Sequence, residues 1–560
     1  MDNVKELLRR ASSAFARRSS VNSLRQEIAE NFAPDLAVFT TTPFEGNEFA
    51  THLLDPTGMI HARDFGANIS YMLQPSDRQW FRSTIDEAED LDVNTKRFFD
   101  WHTGVTRRMI YDRRSLFKKA APQHNRMMSV FGESTTSIEE RAGDDPGLLF
   151  RAWHPASIAF DEDENGEVDT WYRKFTMSSR GMCAKFDGMQ HATVHDEVKK
   201  TLEKSPDTKW EMYHIVMPAR DYEYQTRKPA GNLPWASIYI DCKNNHVIRE
   251  KPARYSIYYT SRWQMVPGLP DGFSPAAMTA LGLNRRMQQM YLAILESAEK
   301  QADPPLLARP GALIDGEINL MSGHATYVDE EYDERQFGKP VEAIDIAGNM
   351  NTALETVRDA RLTMAECWYI NKLQMPSRAK TAYETEQLVQ EYIRANLPIV
   401  EPLEYEVNSR MLDKAVEIGM VAGAFGPAEF LLEIMPEGLE GSDIHYAFEN
   451  PLRDAIKTKK TTDYRQMLEM VAAGMQLDPD AKAEVNIPAA LADAVGTLGQ
   501  NHWVYNDEEK QAKLQAMQQE MQVMQAMQMA QQGGEAMKSL GDGAASMGLT
   551  ASDAEELVAA

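Results

Sequence analysis

Seven consecutive residues, Asp161-Glu162-Asp163-Glu164-Asn165-Gly166-Glu167, come nearest to a ligand set in this chain. Carboxylates at positions one, three and five with glycine at six open the loop of a helix–loop–helix calcium site, where hard oxygen ligands converge on one cation. Position twelve should supply a bidentate carboxylate, but it is Tyr172 and the residues after the loop read as a strand. The segment is therefore expected to be a β-turn. Two cationic clusters come next. Lys372, Arg378 and Lys380 gather around Pro376 in a locally basic loop, and Arg453, Lys457, Lys459 and Lys460 follow Asn450-Pro451-Leu452 in an expected helix. Read from residue type alone, the first is a set of surface cations in a proline-shaped loop and the second pairs with acidic neighbours. His102, His154, His214 and His324 are scattered singly and read as packing or surface residues, so no metal site is assigned. Cys183, Cys242 and Cys367 are widely spaced, which suits a reducing compartment and excludes a cysteine-built zinc site. No phosphate-binding GxxxxGK[ST], HExxH, GxSxG or GxGxxG occurs. No catalytic residue and no cofactor are assigned, and the chain is not expected to be an enzyme.

The composition bounds the partners. With 560 residues, 43% of them hydrophobic, the chain can fill several sizeable cores. No run of 18 apolar residues occurs, and MDNVKELLRRASSAFARRSS lacks an apolar signal core, so neither membrane insertion nor secretion is expected. A formal charge of −25 opposes tight binding to nucleic acid, whose phosphates require a basic face.

The elements that position these groups alternate in character. Residues 1–33 read as one helix before Pro34, 55–74 as another before Pro75, and 93–124 as a helical stretch with Arg and Lys opposite its aromatics. Segments 149–160, 168–178, 213–218, 235–241 and 246–258 are rich in β-branched and aromatic residues between turns, giving a β-rich module. Ile257, Tyr258, Tyr259 and Trp263 favour a strand, and Pro267, Gly268, Pro270, Asp271 and Gly272 punctuate a loop. Ser274 can cap the helix that follows, Pro275 suits its first position, and Pro304-Pro305 stops it. Its apolar stripe is Leu283, Met287, Met290, Ile294 and Ala298. Residues 303–345 read as short strands and loops, with an acidic run at Asp329, Glu330, Glu331, Asp333 and Glu334. A second long helix starts near Asn351 with Leu354, Val357, Met364 and Trp368 on one face, and a third spans about Thr381 to Val421. Leu514, Met517, Met521 and Met524 repeat at three-four-three spacing in a Gln-rich helix, and glycines at 533, 534, 541 and 543 predict a mobile end.

Arg262-Trp263, Gly272, Ser274-Pro275, Leu283-Asn284, Glu299-Lys300 and Pro304-Pro305, in that order, resemble the portal proteins, or head-to-tail connectors, of short-tailed (podovirus-type) bacteriophages. Further segments at 62–81, 165–182, 214–218 and 444–452 extend the resemblance from about residue 20 to 510. Asp271-Gly272-Phe273 departs from the aromatic-glycine-arginine turn common in that family, which bears on loop geometry.

The resemblance implies a mixed α/β, helix-dominated portal fold. Its parts would be a wing at 1–265 with its β-rich module at about 134–265, stem helix 1 at 266–302, a small β-containing clip at 303–345 and stem helix 2 at 346–371. A tunnel loop at 372–380, a long helix and wing return at 381–445, a crown at 446–505, a C-terminal barrel helix at 506–532 and a flexible tail at 533–560 complete it. It also implies a ring of twelve copies at one capsid vertex, through which DNA is packaged and ejected. Such a ring would carry about −300 and repel the DNA it conducts. Lys372, Arg378 and Lys380 would brush successive phosphates without base readout, and Arg453, Lys457, Lys459 and Lys460 could face packaged DNA in the crown. The implied partners are further copies of the chain, the terminase large subunit, the major capsid protein, a scaffolding protein, tail adaptors, internal ejection proteins and the passing double-stranded DNA, with no membrane. Assembly in the host cytoplasm and a place in the virion follow. Another head–tail joining or scaffold-type protein without a channel is the alternative, and a nucleic-acid-processing enzyme stands behind both.

Overall fold

The computed structural model describes residues 2–41, 50–85, 93–141, 147–224 apart from 190, 233–344 apart from 310, 315, 316, 320 and 322, 350–370 and 382–427. Beyond these it describes short stretches, among them 443–449, 464–471 and 510–518. The chain divides into two compact units, Met1–Arg82 with Thr103–Pro427 and Tyr446–Ala455, and Ser83–His102 with Ala428–His445 and Ile456–Ala560.

The first unit opens on α1 (Asp2–Arg17), α2 (Ser19–Phe32) and α3 (Thr57–Leu73), and continues past β1 (Phe81–Thr84) and the end of α4 (Val93–Ile110) to α5 (Phe117–Phe131). The single helix expected over 1–33 is two, because Arg18 leaves the helical ladder to bury its guanidinium against Glu133 and Asp271. The stretch 93–124 also breaks, at Leu116, whose φ of 58° cannot continue a helix; α5 then runs on through Pro122.

Two sheets follow. β2 (Glu133–Glu140) is the centre of a three-stranded sheet between β3 (Leu148–Trp153) and β9 (Tyr258–Arg262). β4 (Ile158–Glu162), β5 (Val168–Ser178), β6 (Lys209–Pro218), β7 (Trp235–Asp241) and β8 (His246–Ala253) form a five-stranded antiparallel sheet in sequence order. Side-chain alternation along β6 sorts its residues. Tyr213, Ile215 and Met217 face Val4, Leu7, Ala11 and Ala14 of α1. Met212 packs with α6 (Ser179–Phe186) and α7 (Asp196–Lys204), and Val216 packs with Trp171 and Tyr258. The spans of β5 and β7 match the sequence reading. Strand β2 and the short helices α6 and α7 had no expectation.

The β-hairpin β10 (Gln264–Met265) and β11 (Gly272–Phe273) leads into α8 (Pro275–Ala302). Ser274 caps α8 as the sequence predicts, its Oγ accepting from Ala277 N at 3.2 Å, with Pro275 in the first turn. Short strands β12 (Leu306–Ala308) and β13 (Val341–Ala343) pair in the insert, which also holds α9 (Glu334–Phe337), and α10 (Met350–Cys367) returns. Last come α11 (Ala382–Leu403) and α12 (Arg410–Val421), joined without a break by a π-helical turn at Glu404–Ser409. The widening follows Pro398 and Pro402, which lack two ladder donors, and the carbonyl of Glu406 accepts from Ser261 Oγ at 2.8 Å. β14 (His445–Phe448) completes the strands of the two units. The largest core joins α2, α3, α5, the start of α8 and the end of α10 around Phe32, Phe65, Phe131 and Trp368.

In the second unit, Phe98 lies against Phe99 and Trp101, Phe430 packs edge-on to Trp101, and Ser83 Oγ meets His102 Nδ1 at 2.8 Å. Leu514, Met517, Met521 and Met524 are all exposed, so the seam expected there is uncovered within one chain. No described helix is long and apolar enough to cross a membrane.

Candidate functional site

In the acidic run at 161–167 only Asp163 is taken up within the turn, while Asp161 pairs with Arg17 and Glu167 with Arg410 at 2.7 Å. Asp163 Oδ1 accepts from Asn165 N at 2.8 Å and Glu167 N at 2.9 Å, and Gly166 turns with φ of 80°, making the expected turn between β4 and β5. Glu162 is instead the acceptor of Arg262, a fully buried guanidinium that also donates to Pro270 O at 3.0 Å and Gly166 O at 2.9 Å. No cluster of three metal-ligating side chains exists among the described residues. His154 packs on Phe39, and His214 stacks on Tyr239 at 4.0 Å between hydroxyls of Tyr258 and Ser237. Lys372, Arg378, Lys380, Arg453, Lys457, Lys459 and Lys460 lie outside the described residues.

The geometry that stands out is the hairpin α8–insert–α10 and the junction that aims it. Gly132, at the end of α5, and Gly272 cross so closely that a Cβ on Gly132 would lie 1.8 Å from the carbonyl carbon of Phe273. One on Gly272 would lie 2.5 Å from Gly132 O. Trp263 N donates to that oxygen at 2.9 Å, and its ring stacks on Phe65 at 5.6 Å. Ser274 Oγ donates to Ser129 O at 2.6 Å, so the cap of α8 is also its tie to α5.

Around this crossing three charges are taken out of water and a fourth, Asp271, is partly covered. Glu133 is held by Arg18 and by Arg25 at 2.7 Å, while Asp271 accepts from Arg18 Nε at 2.8 Å and lies 3.6 Å from Arg25. Arg25 also donates to Gly272 O at 3.0 Å. Burial alone would raise the Glu133 carboxyl, but the two guanidiniums outweigh it and hold the group below its usual range. The sequence reading named Arg262 and Gly272 as motif residues but missed Arg18, Arg25 and Glu133, since nothing in their local spacing marks them as paired.

Asp55 is the clamp at the base of the hairpin. Fully buried, it accepts from Thr57 N and Oγ1 at 2.9 and 2.6 Å and from Arg361 of α10 at 3.0 Å. Its backbone N and O bond Gln288 of α8 at 3.0 and 2.7 Å. Desolvation works against ionisation here, yet the donors from Thr57 and Arg361 keep the carboxyl lowered. Close packing begins with Ala276, Ala277 and Ala280, whose small side chains admit neighbouring helices, and continues through Leu281, Asn284 and Met287.

Above Met287 no residue of α8 is buried, which corrects the expected stripe: Leu283, Met290 and Ile294 are half-covered and Ala298 is exposed. On α10, Val357, Met364 and Trp368 are buried as expected, whereas Leu354 is not. The cause is a lack of partners among the described residues, where beyond its base each helix has the other as its neighbour. Leu292, Leu295 and Leu354 are left 46%, 40% and 49% exposed, and the insert exposes Leu307, Ile314, Met321, Tyr327 and Phe337. The insert also concentrates acid, with ten Asp or Glu against three Arg or Lys over 303–345.

This arrangement is mechanical. Among the described residues it offers no nucleophile–base pair and no phosphate cradle at the hairpin; it offers an arm, fixed at one end by buried charges, with apolar and acidic surface along its length.

A chain from the virion of a native gene transfer agent particle is a structural neighbour at 11% identity and a TM-score of 0.31, covering 79% of this chain and 88% of that one. No curated protein matches the chain. The family model described as bacteriophage head to tail connecting protein matches residues 4–504. The chain thus belongs to the bacteriophage head to tail connecting protein family, as a structural, non-enzymatic virion component at the junction of head and tail.

Proposed function

We propose that the chain is the portal subunit of a short-tailed phage. Copies of it, twelve on the sequence resemblance, close into a ring at one capsid vertex and leave a channel for packaging and ejecting DNA. The observation that carries this is the arm α8–insert–α10, clamped at its base by Asp55 and bare of cover above Met287. Exposed leucines on both helices are costly for a monomer, at about 25 cal/mol for each Å² of apolar surface, and neighbouring copies are their natural cover. A heterologous contact that closes gives a ring. The acidic insert is then the clip that docks the terminase motor during packaging and the tail adaptors afterwards. Residues 1–265 lodge in the shell as the wing against capsid and scaffolding proteins, and 446–505 form the crown. Lys372, Arg378 and Lys380 are the tunnel loop that touches passing phosphates, and Arg453, Lys457, Lys459 and Lys460 are crown contacts to packaged DNA.

The test is negative-stain imaging and native mass spectrometry of the purified chain and of Leu292→Glu with Leu354→Glu. The wild type should form rings with an axial bore. The variant should keep its circular dichroism spectrum and remain monomeric. A solid or strictly monomeric wild-type particle overturns the proposal, as does unchanged ring formation by the variant.

A further inference from the structure

Residues 107–119, RRMIYDRRSLFKK, join the end of α4 to the start of α5 and hold six cations against the one carboxylate of Asp112. In a chain of net charge −25 this is a sharp local inversion. The corner is rigidly built. Ser115 Oγ donates to Ile110 O at 2.6 Å and to Asp112 O at 2.8 Å, and Asp112 Oδ1 accepts from Arg114 N at 2.7 Å. Ile110, Ser115, Phe117 and Ala120 are buried, and Phe117 packs edge-on against Phe150 and Tyr111. The cations take the opposite side: Arg108, Arg113, Arg114, Lys118 and Lys119 are exposed. Arg107 and Lys118 flank the Tyr111 ring at 5.7 and 6.0 Å.

Three features say what such a surface takes. Arg108, Arg113, Lys118 and Lys119 form no ion pair among the described residues, and Asp144 and Asp145 of the connection after β2 lie outside those residues. The centre of a protein–protein interface is depleted in charge and rich in apolar groups, whereas here Leu116, 45% exposed, is the one exposed large apolar residue of the segment. Guanidiniums in number present paired N–H donors that match phosphate oxygens. We propose that the α4–α5 corner is a binding surface for the phosphate backbone of duplex DNA, independent of sequence and separate from the channel contacts proposed above. The choice of DNA as the polyanion rests on the portal reading, while the existence of the site does not.

The experiment is fluorescence anisotropy of a labelled random-sequence duplex titrated with the full-length chain across about 50 to 200 mM salt. The wild type is compared with a variant carrying Arg108→Ala, Arg113→Ala, Lys118→Ala and Lys119→Ala. Four phosphate contacts at about 0.9 released counterions each make the corner's share of the affinity fall about 150-fold over that range. The variant should therefore bind more weakly at low salt, with a slope shallower by about three to four. Imaging the same preparations reads ring formation separately, so a failed ring and a failed corner are distinguishable. No binding by the wild type at the lowest salt overturns the proposal, as does an unchanged slope in the variant. Competition by polyglutamate as strong as by unlabelled duplex at equal charge also overturns it, in favour of an acidic protein partner.

Discussion

Replacing Glu133 with glutamine tests whether the buried charges at the base of the arm fix its geometry. The carboxylate is 1% exposed and is shared by Arg18 and Arg25, themselves buried. Glutamine keeps the shape, loses the charge, and turns an N–H₂ group toward one of the two guanidiniums. Two buried cations then share Asp271 as their carboxylate among the described residues. Removing one partner of a buried ion pair costs about 3–5 kcal/mol, because the desolvation of the other is no longer offset. Urea unfolding of the unassembled chain, read by tryptophan fluorescence, should show a loss in that range. Glu6→Gln, which removes an exposed partner of Arg9, should leave the transition unmoved.

The pH dependence gives the same experiment a second handle. Because the folded Glu133 carboxyl is held below its ordinary 4.5, the stability it contributes is complete above that value and is lost as pH falls through the lowered one. The gap between wild type and Glu133→Gln should be full at neutral pH and close in acid. A neutral-pH gap under about 1 kcal/mol, or one that persists unchanged in acid, refutes the view that these charges act as a coupled set.

Three other perturbations probe the same unit. Gly132→Ala places a Cβ against the carbonyl of Phe273 at a backbone φ of 73°, so it should cost upwards of about 4 kcal/mol and remove soluble protein. Gly104→Ala, in open space on α4, should be neutral or stabilising by up to about 1 kcal/mol in a thermal-shift assay. Lys414, bonded to Ser256, is lowered by burial to about 8, so its charged form is a burden on the folded state below that pH and the burden lifts as pH rises toward 10.5. The stability of wild type relative to Lys414→Met, measured by denaturant titration, should therefore improve from pH 7 to 10.

Where one residue decides a local structure, the sequence was readable. Ser274-Pro275 predicts the first turn of α8, Pro304-Pro305 its end, and the Asp163–Gly166 turn is a local matter of side chain to backbone. Strand β2 was not readable, because Glu133-Ser-Thr-Thr-Ser looks like a surface strip. It is buried because its partners come from far along the chain: Thr135 meets Thr260 at 2.8 Å, Thr136 meets His124 at 2.8 Å, and Ser137 accepts from Trp153 at 2.9 Å. Satisfied polar groups can be buried at little net cost, so composition alone misplaces such a strand. The break at Arg18 is hidden for the same reason: local propensity favours a continuous helix, and two remote carboxylates override it. As for site residues, the basic clusters near 378 and 457 are conspicuous in sequence, while the Asp55 clamp depends on Gln288 and Arg361, far from it in the chain.

On the ring proposed above, the two halves of α8 would separate folding from assembly. Its first half carries alanines where other helices press close, and its contacts are complete within one chain: Asn284 bonds Asn31, Gln288 bonds Asp55, and Met287 is fully buried. The second half keeps the helical apolar spacing, but among the described residues nothing buries it. Capping and packing at the base settle its direction, so α8 is ordered before any neighbour arrives, and the conformational entropy of holding those leucines in place is largely spent in folding. In the proposed ring a neighbouring copy would then meet a preformed apolar face. Each leucine covered on such association would return free energy at about 25 cal/mol per Å², and the sum would grow with every contact around a closed ring. In the proposed ring the buried ions and the bare leucines would be one device: the first aim the arm, and the second would make that aim matter when copies meet.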